Sequence, residues 1–465
     1  MITGKTLLDL GYKQGKWFKQ AIEHINLHNL VGNDMIDYLD SVQPTEPIYI
    51  QPFIDPMSYI KNIISESEDE YQNVIDVCST MDVLMKTPTV VNGAIMPDAC
   101  PTGEVGQIPV GGIVVTKGTI HPSMHSADVC CSVMMTNFGD VCPKIVLDAA
   151  HSITHFGGGG RNRGDEFRLP IELSDRIKTN EYLKDTLSIA ISHLGTQGDG
   201  NHFLYIGKLK STNETVMVTH HGSRGFGASL YKTGMKVAEK FRQQLSPNTL
   251  QRNAWIPYDT NEGKIYWNAL QIVRDWTKLN HQVLHNKTSE LLNIKPLYSF
   301  WNEHNFVFKD ENDLFYHAKG ATPLDDKFVP DSYNGLRLIP LNMSENILIV
   351  KGETTENNLG FAPHGAGRNI SRSVHIRNKE LSETNTINDI FQLETKGLDV
   401  RFFSGNVDIS ELPSAYKNAE SVKQQMKQFG LGEVVDEILP YGSIMAGDWQ
   451  KDMNWKQLRK NKTRK

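Results

Sequence analysis

The chain has no disulfide framework. Its five cysteines, Cys78, Cys100, Cys130, Cys131 and Cys142, are odd in number and two are adjacent. That usage speaks against a small secreted scaffold and for a reducing interior. Also missing is any apolar run of the roughly 18–20 residues that a membrane-crossing helix requires. The opening Met1-Ile2-Thr3-Gly4-Lys5 lacks a signal-peptide core. The expectation is a cytoplasmic protein with no membrane partner. Nor is there a basic excess: the net charge is −6. Nothing then draws the whole chain to nucleic acid, and an RNA or DNA site has to be a local patch. Internal repeats and long low-complexity linkers are absent too.

What remains is a soluble composition, 39% apolar and 22% charged over 465 residues, long enough for a large core. Periodicity predicts helices over Gln14–Asn26, Glu66–Leu84, Ala228–Leu245, Trp267–Leu284 and Val422–Phe429. Strands are expected at Val90–Asp98, Ile108–Val115, Val216–Thr219, His304–Phe308 and Ile347–Val350. Tyr316–Pro323 reads as a turn carrying a cation, and His155–Gly164 as a flexible glycine tract, either a mobile surface loop or a substrate cover. Lys451–Lys465 holds seven basic residues and one acidic residue, and reads as a solvated frayed tail, with an RNA-contacting tail as the alternative.

The stretch Ile347–Ser373 is where chemistry concentrates. A strand feeds Phe361-Ala362-Pro363-His364-Gly365-Ala366-Gly367-Arg368-Asn369-Ile370-Ser371-Arg372-Ser373. One histidine, a glycine-rich turn and two arginines four apart suit an anionic ligand such as phosphate. If helical, Arg368 and Arg372 would share a face. Five further residues, Asp128, Cys131, His202, His220 and His304, sit at predicted strand ends or turns. A carboxylate, a thiolate and three imidazoles suit a borderline divalent ion such as Mn, Zn, Co or Ni. A bridging thiolate would let five ligands serve two ions, leaving positions open for phosphate oxygens.

The ordered motifs resemble the RtcB-type RNA-splicing ligases. They are Met96-Pro97-Asp98, Pro109-Val110-Gly111-Gly112, Asp128–Cys131, Leu194–Phe203, His220–Gly225, His304-Asn305, Lys319–Thr322, His364–Arg368 and Pro413–Lys417. The resemblance implies an α/β (α+β) fold, a sandwich of mixed β-sheets flanked by helices with one metal-containing active-site cleft. It implies a catalytic domain over 91–447, before a basic tail at 448–465 and after an N-terminal α/β portion at 1–90 that is either separate or integral to the same domain. By family, Asp128, Cys131, His202, His220 and His304 would bind two Mn2+ ions, with Cys131 as the bridge. His364 would be guanylylated by GTP. Asn201, Gly365, Ala366 and Gly367 would contact the nucleotide, and Arg224, Lys319, Arg368 and Arg372 RNA phosphates.

The implied activity joins 2′,3′-cyclic phosphate or 3′-phosphate RNA ends to 5′-hydroxyl ends, in RNA repair or tRNA splicing. The expected partners are GTP and the ends of tRNA or broken structured RNA, with room for a helper protein and a monomer as the working state. Departures from the family pattern gather on the nucleotide side. Cys100 stands where histidine is usual. Phe203, Leu204 and Tyr205 lack the expected acidic residue, and Ala318 replaces an arginine. Pro340–Glu345 replaces a glycine-containing loop, and Ala446-Gly447 replaces Lys-Gly. Two other readings share the same metals: an RNA-end-binding accessory protein, and a cyclic phosphoesterase.

Overall fold

The computed structural model describes residues 1–44, 48–382 and 386–451. It divides into a unit over Met1–Ile50 and a second from Gln51 onward. The first unit is helical: Gly4–Asp9, Trp17–His28 and Gly32–Val42 bury Leu7, Phe18, Ala21, Ile25 and Leu39. In Trp17–His28 the buried face is Phe18, Ala21 and Ile25, and Trp17 is half-buried. Among the described residues the first strand is Ile60–Lys61, which pairs with Val90–Cys100. Residues 51–90 fall in the second unit.

The second unit is built on two large sheets. One has eight strands. Its path runs Arg337–Pro340, Ile347–Lys351, Glu433–Met445, Phe203–Leu209, Thr215–His221, Ser132–Gly139, Tyr298–Glu303. Asp399–Phe402 adds in parallel to Glu433–Met445. The ends of the path almost meet. The Asn302 side chain accepts from Leu338 N–H at 2.8 Å and donates to its carbonyl at 3.4 Å. Ile347, Leu348, Ile349 and Val350 are buried without alternation, as a strand covered on both faces requires.

The other sheet has five strands, ordered Ile60–Lys61, Val90–Cys100, Val110–Lys117, Leu314–Lys319 and Asn305–Lys309. His304 is the residue between the last strand of the first sheet and the last strand of the second. The segment expected as a turn, Tyr316–Pro323, is instead strand Leu314–Lys319 followed by Ala321–Pro323. The break is confined to Gly320, whose φ of +64° favours glycine.

The helix expected over Trp267–Leu284 runs from Asn261 to Leu292. Thr260 caps its start by accepting from Gly263 N–H, and left-handed Asn293 ends it. Its His281 and His285 reach the large sheet, where both meet the Thr219 hydroxyl, at 2.6 and 2.8 Å. His281 also lies 3.0 Å from Ser132 Oγ. The helix is thereby pinned beneath strands that carry two of the candidate ligands. Among the described residues no helix is long and apolar enough to cross a membrane.

Candidate active site

Four of the five expected ligands are delivered at strand ends, and Asp128 by the turn that leads into Ser132–Gly139. Cys131 immediately precedes Ser132–Gly139, His202 precedes Phe203–Leu209, and His220 lies near the end of Thr215–His221. His304 joins the two sheets, and backbone bonds hold it against the Asp128–Cys131 turn. His304 N–H donates to Cys131 O at 2.9 Å, and Cys130 N–H donates to Asn305 O at 2.6 Å. Ala321 N–H donates to His304 O at 3.0 Å.

The side chains converge as two triads sharing one thiol: Asp128, Cys131 and His202, and Cys131, His220 and His304. Within each triad one ligand atom per residue lies within 4.8 Å of the others. Cys131 Sγ is 3.5 Å from His202 Nε2 and 3.3 Å from His220 Nε2. His202 Nε2 is 3.1 Å from Asp128 Oδ2, and the Nε2 atoms of His220 and His304 are 3.2 Å apart. His202 Nδ1 donates to Gln197 O at 2.8 Å and His220 Nδ1 to Asn201 O at 3.2 Å. Both rings therefore turn a lone pair inward on Nε2, the usual tautomer of a metal-binding histidine.

Electrostatics favour a cation here. Burial, then Asp128, pushes the Cys131 thiol well up. Burial and neighbouring imidazoles, first His202 for one and His364 for the other, hold His220 and His304 neutral. Burial alone would raise the Asp128 carboxyl, but His202 outweighs it and brings the group below its ordinary value. A divalent ion reverses the penalty on the thiolate and satisfies inward lone pairs that only a proton could otherwise bridge. The residues present fit one ion on each triad, with Cys131 common to both.

The nucleophile candidate stands beside this cluster. The His364 and His304 ring centroids are 4.9 Å apart. Asp98 Oδ2 accepts from His364 N–H at 3.0 Å and from its Nδ1 at 2.6 Å. The second bond puts the proton on Nδ1 and the lone pair on Nε2. Gly320 makes room, since a Cβ there would sit 2.8 Å from His364 Cε1.

A cleft of about 370 Å³ collects Asp128, Cys131, His220, His304, Lys319, His364, Arg368 and Arg372. Asn201, Gly365, Ala366 and Gly367 also line it, as do Cys100 and Pro340–Met343. Lys319 is buried; its Nζ donates to Thr102 Oγ1 at 3.0 Å and Ile108 O at 3.2 Å. The Pro340–Met343 loop closes directly on the turn that carries His364, for Ala366 N–H donates to Leu341 O at 3.3 Å.

Arg368 and Arg372 do meet, but not as a helical pair. The helix starts only at Arg372, and Arg368 lies before it, in a bridge with Tyr416. What joins them is Glu411, a buried carboxylate that accepts from Arg372 Nε and, at 3.4 Å, from Arg368 Nη1. Tyr416 Oη donates to the same carboxylate.

Arg224 is not among the residues lining the cleft. Its guanidinium donates to Gly157 O at 2.9 Å and Thr196 Oγ1 at 3.2 Å. The glycine tract is accordingly tied down rather than loose: Gly157 N–H donates to Gly198 O at 2.7 Å, in the loop that leads to His202. The basic stretch 452–465 lies outside the described residues.

Asp98, Glu411 and Lys417 are the functional side chains that residue-type reasoning passed over. Asp98 and Lys417 sat in recognisable motifs without a role. Glu411 had no local signal, because its two arginine partners are 39 and 43 positions away.

The chain matches the family model described as "tRNA-splicing ligase RtcB" over residues 170–446, more than half its length. A protein of Aeropyrum pernix named tRNA-splicing ligase RtcB is 24% identical over 75% of this chain and 86% of its own. One of the same name from Archaeoglobus fulgidus is 28% identical over 76% and 87%. Another from Thermococcus kodakarensis is 24% identical over 62% and 64%.

Proposed function

The chain belongs to the RtcB family, and from that premise we propose that it is a GTP-dependent RNA ligase. It would join 2′,3′-cyclic phosphate or 3′-phosphate ends to 5′-hydroxyl ends, in RNA repair or tRNA splicing. The carrying observation is the placement of His364 beside the shared-thiol cluster, with its Nδ1 proton held by Asp98.

In this reading His364 Nε2 attacks the α-phosphorus of GTP and pyrophosphate leaves, so that guanylate rests on the imidazole. A cyclic phosphate end is opened by water to a 3′-phosphate. That phosphate takes the guanylate from His364, and the 5′-hydroxyl then attacks it, forming the phosphodiester and expelling GMP. Dividing the transfer in two makes each step easier. Mn2+ held on the two triads would neutralise phosphate charge and act as a Lewis acid. Asp98 keeps the nucleophile's lone pair aimed into the cleft. Backbone groups of Asn201, Gly365, Ala366 and Gly367 line the nucleotide's place, while Lys319, Arg368 and Arg372 face RNA phosphates.

The test is to incubate the protein with Mn2+, each nucleoside triphosphate in turn, and RNA pairs bearing the two kinds of end. A guanylate adduct and a sealed product are expected. Tight binding of 3′-phosphate RNA with no nucleotide turnover would select the accessory protein instead, in keeping with Leu341 packed on the nucleophile's turn. Ring opening without sealing would select the phosphoesterase.

Lys319 gives the cleft a pH dependence. Burial brings its ammonium down to about 8. The charge is present below that pH and lost above it, and a bound phosphate favours the charged form. Affinity for a 3′-phosphorylated oligonucleotide, read by fluorescence anisotropy, should therefore fall as pH rises through 8. Lys319→Gln should remove that fall and weaken binding at pH 7 by roughly ten-fold, the scale of one charged hydrogen bond. A 3′-hydroxyl oligonucleotide should show neither effect.

A further inference from the structure

We infer that Lys417 is a positioning residue for His364, fastening at once the strand that carries Asp98 and the turn that carries the imidazole. The inference rests on His364 being the nucleophile.

The contacts form a closed circuit. Lys417 Nζ donates to Pro97 O at 3.2 Å and to Ala99 O at 2.7 Å, the carbonyls on either side of Asp98. Asp98 Oδ2 takes both the backbone N–H and Nδ1 of His364. Three residues on, Gly367 O accepts the backbone N–H of Lys417 at 2.9 Å. Gly367 has φ +73° and lies so close to the Asp98 carbonyl that a Cβ would collide with it. One residue, by main chain and side chain together, thus ties the two halves of the nucleophile pair.

An ammonium suits this task. It supplies several donors from one atom, whereas an apolar side chain would leave the Pro97 and Ala99 carbonyls buried without their partner. The protein tolerates the cost of burying the charge. Lys417 is 5% exposed, and although burial lowers its pKa, Cys100, Asp98 and Glu70 counter that. The Asp98 carboxylate needs outside support because its Oδ1 is buried with no hydrogen-bond partner among the described residues. Only Oδ2 is fixed, by the ring it is meant to aim. The clamp on both flanking carbonyls provides what Oδ1 does not.

The experiment compares the parent with Lys417→Met, Lys417→Gln, Asp98→Asn and the Lys417→Met/Asp98→Asn double variant. The 15N spectrum of labelled histidine, assigned by difference with His364→Gln, reports the His364 tautomer. The parent should show the Nδ1–H form, and Lys417→Met a mixture. Lys417→Gln, keeping one donor, should fall between, and His202 should be unchanged. Adduct formation from GTP should slow about 10²-fold in Lys417→Met, the loss typical of a misaimed reacting group. Asp98→Asn should add little to that loss, because both changes act through one ring. A single Nδ1–H tautomer surviving in both Lys417 variants overturns the inference, as do losses that multiply. Metal content and thermal unfolding identify a variant that has merely misfolded, and Lys417→Gln then decides. If the parent forms no adduct with any nucleotide, the ligase reading falls, while the tautomer comparison still rules on Lys417.

Discussion

His364→Ala should leave no covalent nucleotide on the protein after incubation with labelled GTP and Mn2+. Loss of a covalent nucleophile removes a whole pathway rather than one interaction, and comparable losses reach about 10⁶-fold. The geometry makes the result specific. The imidazole stands 4.9 Å, centre to centre, from His304 and carries its proton on the side away from the attack. The variant should still bind metal, since His364 belongs to neither triad. It should also seal RNA that already carries guanylate on its 3′-phosphate, because the final step asks nothing of the histidine. The informative alternative is an adduct that survives. Lys319 lines the same cleft with a pKa near 8 and is a chemically competent amine. Peptide mapping by mass spectrometry would separate the two, and guanylate found on Lys319 would move the nucleophile.

Cys131→Ala should have the broadest effect of any single ligand change. As the member common to both triads, its loss should lower metal content from the proposed two ions per chain toward none. His202→Ala or His304→Ala should each forfeit one. Metal analysis after dialysis and titration calorimetry give the counts, and the expected fall in affinity for Cys131→Ala is more than 10²-fold. The thiol also sets a sign. Without a cation, burial and Asp128 keep it protonated, so binding must expel that proton and affinity must rise with pH. A Cys131→Ala protein that retained both ions would show the bridge assignment to be wrong, and with it the two-ion cleft.

Legibility in the sequence followed the range of each interaction. The strand Ile347–Val350 and the helix at 419–429 were readable because apolar spacing is local. So was the presentation of the five ligands at strand ends or turns. The Gly320 break was misjudged as a turn, because one left-handed residue between two short strands resembles a loop when the partner strands are unknown. The resemblance named the ligands and His364, but it left Glu411 without a role. A buried carboxylate shared by two arginines is a property of three-dimensional pairing, and no spacing rule reaches 43 positions. The tether on the glycine tract was hidden likewise, since Arg224 finds it from 67 positions away.

That shared carboxylate changes how the cleft should be counted as a polyelectrolyte. Arg368 and Arg372 present two guanidiniums, yet Glu411 cancels one charge, so together they amount to one counterion toward a nucleic acid strand. Single-strand binding responds to salt in proportion to the phosphates neutralised, about 0.7 in log–log slope for each. Half of that pair's apparent electrostatic reach is spent inside the protein, on orientation. Under the proposed function, what the pair would contribute to an RNA 3′ end is direction more than attraction.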